Sequence, residues 1–260
     1  MQKNTIMYEH PDYDRATAFH YAAYRPDLHE RILAEFLQPM PQATGLDIGC
    51  GTGQSAITLS KFTRRVIGIE PSEAMLQKAL QHPNVSYLLF NGRDLPFSQP
   101  QFSIITMAGS WFYAASQHLL NQLLQVLLPN GSVLLYDFNI CLSDVLSALG
   151  IRLAETATPY NHALDFSAFE HAPLQVVQQL KKDIDFPVAA ENLVHLLLSL
   201  KEVYLLLQTK YGDAVNVPAI LLHEFSQHFG KESISLRTTL YGTRYHLPET
   251  SEHIKTNPQS

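Results

Sequence analysis

Residues 46–54, Leu-Asp-Ile-Gly-Cys-Gly-Thr-Gly-Gln, place an acid and three alternating glycines at the end of an apolar run. Glycine has no Cβ and tolerates positive φ, so such a turn lets the backbone approach a ligand closely. A second apolar run, 66–69, ends at Glu70, near the interval of roughly 20 residues at which a doubly wound fold places a ribose-binding carboxylate. The glycine spacing is G-x-G-x-G and not the G-x-G-x-x-G expected for a pyrophosphate. Together these residues predict a nucleoside site that does not hold a pyrophosphate.

Further short motifs follow the glycine turn in a fixed order. They are Glu70-Pro71-Ser72-Glu73-Ala74-Met75-Leu76, Asn91-Gly92-Arg93-Asp94-Leu95-Pro96-Phe97, Ala108-Gly109-Ser110-Trp111-Phe112 and Leu127-Leu128-Pro129-Asn130-Gly131. With the turn, they resemble class I S-adenosylmethionine-dependent methyltransferases, in particular the small-molecule type 11 group with its trans-aconitate-methyltransferase-like members. The resemblance covers residues 15–140 well and the remainder loosely.

The resemblance implies S-adenosyl-L-methionine as cofactor, S-adenosyl-L-homocysteine as product, and no metal. It implies that Glu70 accepts hydrogen bonds from both ribose hydroxyls, as a carboxylate can. Asp47 either orients the turn or meets the ammonium group of the cofactor, directly or through water. The implied cofactor-binding residues are Tyr24, Asp47, Gly49, Cys50, Gly51, Glu70, Pro71, Met75, Asn91, Gly92, Arg93 and Met107.

Methyl transfer of this kind is an SN2 displacement at a carbon that the sulfonium already activates, so alignment and desolvation supply much of the catalysis. A base is needed only when the acceptor still holds its proton. The candidates over the predicted strand ends are His20, Tyr24, Tyr113, Tyr136 and Asp137. Trp111 and Phe112 either line an apolar substrate pocket, where they could contact the cationic methyl–sulfonium group, or form ordinary core.

Three departures from the family pattern keep a second function open. Asn91-Gly92-Arg93 stands where many relatives carry an acid near the adenine, Ser103 replaces an acid on strand four, and Ser110 replaces a histidine. The leading reading is transfer of a methyl group to O or N of a small molecule. The alternative is a catalytically silent, cofactor-binding partner protein. The glycine spacing disfavours an NAD-dependent oxidoreductase, which would rest on fold analogy alone.

Alternating strands and helices predict an α/β fold with right-handed crossovers. The resemblance implies a Rossmann-like, doubly wound, seven-stranded sheet of order 3-2-1-4-5-7-6, with the last strand antiparallel. We expect one methyltransferase domain over residues 1–260, with N-terminal lid helices in 1–38 and a helical insertion in 140–180 above the active site. The predicted strands are 44–48, 65–69, 85–90, 102–108, 132–138, 180–186 and 233–246. The predicted helices are 54–61, one after a Ser72 cap, 117–128, 189–199, 201–211 and 218–229.

Composition narrows the class of partner. The apolar fraction of 46% supports a real core, and the net charge of −6 without basic clusters disfavours nucleic acid, including RNA substrates. Two cysteines make no disulfide framework, and no signal peptide or membrane span is evident, so we expect a cytoplasmic protein. We expect a small-molecule substrate and a monomer or homodimer.

Overall fold

A computed structural model describes residues 19–20, 23–24, 26–152, 160–212, 216–230 and 233–249. Residues 1–18 of the expected lid lie outside this range, so the expectation for them is untested. The described chain divides into two compact units. The larger unit contains the described residues of 27–141, of 156–186 and from 237 onward. The smaller unit contains the described residues before 27, of 142–155 and of 187–236.

The strands form one sheet of order β3-β2-β1-β4-β5-β7-β6, as predicted. They are β1 Met40–Ile48, β2 Thr63–Glu70, β3 Val85–Leu89, β4 Phe102–Ala108, β5 Leu127–Ile140, β6 Gln175–Ala189 and β7 Ser233–His246. Strands β1 to β5 pair in parallel, and β7 pairs antiparallel with β5. The central strands are buried along most of their length, which explains their nearly continuous apolar sequences.

Helices cover the sheet of the larger unit. They are α1 Leu28–Phe36, α2 Gln54–Leu59, α3 Glu73–Leu76, α4 Trp111–Ala114 and α5 Gln117–Val126. Helix α5 buries Leu119, Leu120, Leu123 and Val126, one apolar stripe at helical spacing. The predicted cap at Ser72 is confirmed, because its Oγ accepts a hydrogen bond from the N–H of Met75.

Strands β1 and β5 are among those that begin earlier than the sequence pattern predicts. Strand β1 starts at Met40, which pairs with Thr63 across an irregularity that ends at Thr44. Strand β5 starts at Leu127, which pairs with Phe102 before the regular ladder resumes. Each extension contains a proline, Pro41 in β1 and Pro129 in β5, which interrupts a strand pattern. Only the pairing with a neighbouring strand therefore identifies these residues as strand.

The helical insertion predicted for 140–180 is wrong over residues 160–174, which form turns. Asn161 Oδ1 accepts the N–H of Ala163 at 3.0 Å, and Asp165 Oδ1 accepts the N–H of Ser167 at 2.9 Å. Such side-chain bonds offer the backbone an alternative to a helix. The segment is also held by the phenol oxygen of Tyr245, which accepts the buried N–H of Phe166 at 2.9 Å. Strand β6 then begins at Gln175, earlier than expected.

The smaller unit is mainly helical in its described part. Its helices are α6 Ser143–Ala148, α7 Ala190–Leu198, α8 Lys201–Tyr211 and α9 Val217–Phe229. Helix α7 buries five apolar side chains and packs against α8 and α9. The last three helices lie close to their predicted positions.

Gly242 of β7 lies where the sheet passes under α1. A Cβ at Gly242 would lie 2.6 Å from Cε2 and Cζ of Phe36. Arg244, two residues further on, donates from Nη1 to the carbonyl of Phe36 at 2.8 Å and from Nε to Ser132 Oγ at 3.2 Å. The missing side chain thus allows β7 and α1 to approach closely.

Candidate active site

The three glycines of the turn after β1 have different surroundings. All have positive φ, of +72° at Gly49, +55° at Gly51 and +93° at Gly53. A Cβ at Gly49 would lie 2.5 Å from that of Ser110, and one at Gly53 would lie 2.1 Å from the hydroxyl of Tyr87. A Cβ at Gly51 would meet no heavy atom within 4 Å. Two glycines therefore pack against the protein, whereas Gly51 faces open space that a ligand could approach.

Glu70 connects the end of β2 to this turn. Its Oε2 accepts the N–H of Gly51 and its Oε1 accepts the N–H of Ser72, both at 3.0 Å. The side chain is buried at 7% exposure. A carboxylate has about four lone-pair positions, so two remain after these bonds. The predicted bonds from both ribose hydroxyls would need two such positions.

Asp47 is fully buried under the turn. Its Oδ2 accepts from Ser55 Oγ at 2.5 Å, and its Oδ1 accepts from Thr106 Oγ1 at 2.7 Å. Burial raises the pKa of Asp47 to about 6; the two hydroxyl bonds oppose this rise, and the charge of Glu70 adds to it. These contacts are those expected of a residue that orients the turn.

The pKa of Asp47 predicts how stability depends on pH without ligand. Because the folded-state pKa of about 6 exceeds the unfolded value of 3.8, the folded protein binds the proton more tightly between these limits. The contribution of Asp47 to the free energy of unfolding should therefore fall as pH rises from about 4 to 6, by an order of 2 kcal/mol. Asp47→Asn should remove this slope.

Urea unfolding of wild type and Asp47→Asn at several pH values would measure the effect. The difference between the two free energies of unfolding should shift in favour of the variant as pH rises through the window, and stay constant above it. A difference that does not change with pH would contradict the assignment.

Other predicted cofactor residues gather around the ends of β2 and β3. A Cβ at Gly92 would lie 3.4 Å from the Cβ of Pro71, so these two loops touch. Asn91 Oδ1 accepts the N–H groups of Arg93 and Asp94, at 2.9 and 2.7 Å, and so shapes this loop. Met75 is half-buried in α3. These residues lie on one edge of the sheet.

Cys50 is a buried part of the turn. Burial, helped by the charges of Asp47 and Glu70, raises the pKa of its thiol above the ordinary value. A Cβ at Gly68 would lie 2.8 Å from Cys50 Sγ, so the thiol fills space over β2. These surroundings suit a packing role and not a nucleophile.

A cavity of about 260 Å³ lies at the carboxyl ends of β4 and β5 in the larger unit. Met107, Trp111 and Phe112 line it, as do Asp137 and Tyr136. The remaining walls come from residues 160–165, 179–181 of β6 and 241–243 of β7. The cavity therefore brings together Trp111 and Phe112, the predicted substrate residues, with Asp137, a predicted candidate base.

The indole of Trp111 is also part of the core. It is 2% exposed, donates from Nε1 to the carbonyl of Asp165 at 3.1 Å, and packs edge-on against Phe166. Phe112 is 38% exposed, and the centre of its ring lies 4.3 Å from the centre of the Tyr160 ring. Trp111 therefore lies in the core and in the wall of the cavity, and its contact with a substrate stays a prediction.

The other candidate bases have different surroundings. Tyr136 shares a hydrogen bond of 3.0 Å between its hydroxyl and His29 Nδ1, and burial raises its pKa well above the usual value. Tyr113 is 67% exposed beside Phe112. His20 and Tyr24 belong to the smaller unit, where His20 Nδ1 lies 2.9 Å from His195 Nδ1. Burial and His195 lower the pKa of His20.

Several polar residues of the cavity were not predicted from the sequence, among them His162 and Tyr160. His162 Nδ1 lies 2.9 Å from Asp137 Oδ2, and the hydroxyl of Tyr160 donates to the carbonyl of Gly109 at 2.8 Å. Burial, with Asp137 adding to it, raises the pKa of Tyr160 above its ordinary value. The segment Pro159-Tyr160-Asn161-His162 was a usable signal, because it places a proline, two hydrogen-bonding side chains and an aromatic ring inside a weak helical pattern.

The donor set fits S-adenosylmethionine. The open position at Gly51 leaves room for the amino-acid end, and Glu70 retains acceptor capacity for the ribose. Within the described residues, no cluster of three or more His, Cys, Asp or Glu side chains could hold a metal ion. In the same part of the chain, no helix combines the length and apolar character needed to cross a membrane.

The comparisons with known proteins match the part of the chain that contains the glycine turn. Residues 46–131 match the family model described as "Methyltransferase domain". The chain is similar to the 2-phytyl-1,4-naphtoquinone methyltransferase of Nostoc sp., 34% identical over 38% of this chain and 48% of that protein. It is also similar to the ubiquinone/menaquinone biosynthesis C-methyltransferase of Blochmanniella floridana, 33% identical over 40% of this chain and 45% of the relative. The chain thus spans about half the length of these curated relatives or less.

Solved structures extend the likeness of the fold. A type II methyltransferase structure from Anaeromyxobacter dehalogenans aligns with 87% of this chain and 100% of its own at a TM-score of 0.62 and 17% identity. The methyltransferase in a complex with the Trm112 activator of Haloferax volcanii aligns with 91% of this chain and 96% of its own, at 0.52 and 22%. Identities this low support the fold alone. Together the comparisons show that residues 46–131 are similar to a methyltransferase domain and that the chain shares its fold with solved methyltransferase structures.

Proposed function

We propose that the protein transfers a methyl group from S-adenosylmethionine to an oxygen or nitrogen atom of a small molecule. The bond between Glu70 and the N–H of Gly51 supports this most directly, because it joins the ribose-binding acid to the open side of the turn. When bound, the cofactor supplies an electrophilic methyl group. The chain's own residues bind it, exclude water and hold the acceptor in line.

The acceptor belongs in the cavity at the ends of β4 and β5. One curated relative is named a 2-phytyl-1,4-naphtoquinone methyltransferase and a second a ubiquinone/menaquinone biosynthesis C-methyltransferase. A third, from Streptomyces sp., is named a cypemycin N-terminal methyltransferase. Small acceptors with different reacting atoms are therefore the class to search. The acidic net charge of −6 disfavours nucleic acid. We propose a cytoplasmic monomer or homodimer.

Titration calorimetry with S-adenosylhomocysteine tests the cofactor half of the proposal. We expect one binding event with folded protein. Circular dichroism and a thermal melt on the same sample verify that it is folded. A folded sample that releases or absorbs no heat, and whose melting temperature is unchanged by the compound, would refute the proposal.

A catalytically silent partner protein remains the second candidate, since Asn91 and Ser110 depart from the family pattern. Ser110 Oγ donates to the carbonyl of Ile48 at 2.5 Å, which gives that residue a structural task. Transfer of labelled methyl groups from the cofactor into a metabolite extract would separate the candidates. A labelled product would exclude the silent partner, and cofactor binding without any product would favour it.

A further inference from the structure

A histidine–carboxylate pair lies in the wall of the cavity. His162 and Asp137 are joined by the contact of 2.9 Å between Nδ1 and Oδ2, and their side chains are 26% and 17% exposed. Asp137 Oδ1 also accepts the N–H of Phe138 at 2.8 Å, which fixes the carboxylate on β5. The pair is therefore held by a strand and yet reaches a space that a ligand could fill.

The carboxylate selects the tautomer of the imidazole. Asp137 Oδ2 accepts a hydrogen bond, so Nδ1 of neutral His162 carries the proton and Nε2 keeps its lone pair. Among the described residues, Nε2 has no hydrogen-bond partner. The ring is held by Tyr241, stacked at 5.8 Å with an interplanar angle of 12°, and by Tyr160, edge-on at 4.6 Å. This arrangement is that of an oriented proton acceptor.

The pair also lies next to the cofactor turn. A Cβ at Gly109 would lie 3.3 Å from Asp137 Oδ1. Its neighbour, Ser110, has its Cβ 2.5 Å from the position that a Cβ of Gly49 would take. The two residues 109 and 110 thus separate the turn from the cavity. A group bound in the cavity would be close to one bound at the turn.

The cavity walls favour a planar acceptor. Trp111, Phe112, Tyr160 and Tyr241 contribute aromatic rings, and Lys181 Nζ lies 5.8 Å from the ring centre of Tyr241. The volume of about 260 Å³ is just below the range of roughly 300–1,000 Å³ typical of small-molecule sites. A molecule with one or two fused rings suits this space.

We propose that the cavity binds an aromatic hydroxyl compound and that His162, oriented by Asp137, accepts the hydroxyl proton during methyl transfer. This proposal rests on the proposed function. The acceptor O–H bond breaks and its proton moves to Nε2 of His162. The oxygen lone pair forms the new bond to the methyl carbon. The electron pair of the broken S–CH₃ bond stays on sulfur, which yields S-adenosylhomocysteine, and the imidazolium later returns its proton to solvent. His162 is the catalytic residue and Asp137 the positioning residue.

The binding of 4-nitrophenol to protein saturated with S-adenosylhomocysteine tests the proposal without turnover. This phenol turns yellow when it ionises, so absorbance reports whether the bound molecule has lost its proton. At a pH where free 4-nitrophenol is mostly neutral, the bound molecule should be ionised on wild-type protein. His162→Gln should lower the ionised fraction by about tenfold or more, and Asp137→Asn should lower it as well.

His171→Gln is the matched control, because His171 bonds the carbonyl of Phe169 and packs on Tyr245 outside this cavity. It should leave the absorbance of bound 4-nitrophenol as in wild type. A ligand control needs no variant: 4-nitroanisole has the same ring but no proton to give, and should compete poorly. This control keeps the test valid if a variant fails to fold.

Three outcomes of these binding experiments would contradict the proposal. Bound phenol that stays neutral on wild type would overturn the role of His162. Folded wild type that binds no 4-nitrophenol would overturn the aromatic hydroxyl class. Equal binding of 4-nitroanisole would show that the proton is not recognised. Failure of the proposed function is separate, because it appears as loss of S-adenosylhomocysteine binding in calorimetry, whatever the phenol does.

Discussion

Glu70→Gln should lower the affinity for S-adenosylhomocysteine by two to four orders of magnitude. The carboxylate already accepts the N–H groups of Gly51 and Ser72, and in the proposed function its two further positions would accept the ribose hydroxyls. An amide has one oxygen and presents donors on its other side, so it cannot accept all four. Losing two hydrogen bonds to a charged group costs about 3–6 kcal/mol. Titration calorimetry measures the change.

Glu73→Gln is the control for this substitution. Glu73 is exposed in the first turn of α3, three residues away, and it makes the same change in charge. We expect its affinity for S-adenosylhomocysteine to stay within a few-fold of wild type. Equal affinity losses in the two variants would show that net charge matters and that Glu70 does not contact the ribose.

Alanine substitutions at two glycines of the turn should have different main effects. One should mainly lower the free energy of unfolding, and the other should mainly remove ligand binding. Gly53→Ala places a Cβ 2.1 Å from the Tyr87 hydroxyl at a φ of +93°, so we expect it to lower the free energy of unfolding by about 3 kcal/mol or more. Gly51→Ala should cost only about 1–2 kcal/mol of backbone strain, because its Cβ meets open space. That Cβ would occupy the ligand's approach, so Gly51→Ala should still abolish S-adenosylhomocysteine binding.

Gly230→Ala provides the matched control for strain. Gly230 has a φ of +57° with no heavy atom within 4 Å of a built Cβ, but it ends α9, in the smaller unit. Its stability loss should equal that of Gly51→Ala, with full binding of S-adenosylhomocysteine. Urea unfolding and calorimetry supply the two readings. Normal binding by Gly51→Ala would place the ligand elsewhere.

Much of the sheet is predictable because its signals are local. Strands β4 and β7 and helix α8 have the bounds that their sequence patterns predict. The strand order 3-2-1-4-5-7-6 is confirmed as well, but it came from the resemblance to the family and not from local patterns. The turn residues were also accessible, since glycine spacing and strand-ending acids are visible in sequence. Only the three-dimensional structure shows that Gly51 is the one glycine of the three that faces open space.

The cavity was only half predictable. Asp137, Trp111 and Phe112 follow or end predicted strands, so topology places them at the carboxyl edge of the sheet. His162 lies in an irregular segment whose path depends on distant contacts, such as that of Tyr245 with the N–H of Phe166. Asp137 and His162 are 25 residues apart in the chain, so their contact produces no periodic pattern in the sequence.

The same limit applies to Asp47. Its place under the turn was expected, but its partners, Ser55 and Thr106, lie on a helix and on a strand that pairs with β1 far along the chain. The choice between orienting the turn and meeting the cofactor's ammonium group depends on those partners. The carboxylate is fully buried and each of its oxygens accepts one of these hydroxyls, which supports the first of the two roles.

The close approach of Gly242 to Phe36 has a consequence for the cavity. Side chains alternate between the two faces of a strand, so a one-residue slip of β7 against β5 would turn Tyr241 or Thr243 toward α1. Either side chain would collide with the Phe36 ring, because even a Cβ at Gly242 would lie 2.6 Å from it. Gly242 thus fixes the register of the last strand. It thereby keeps Tyr241 stacked on His162.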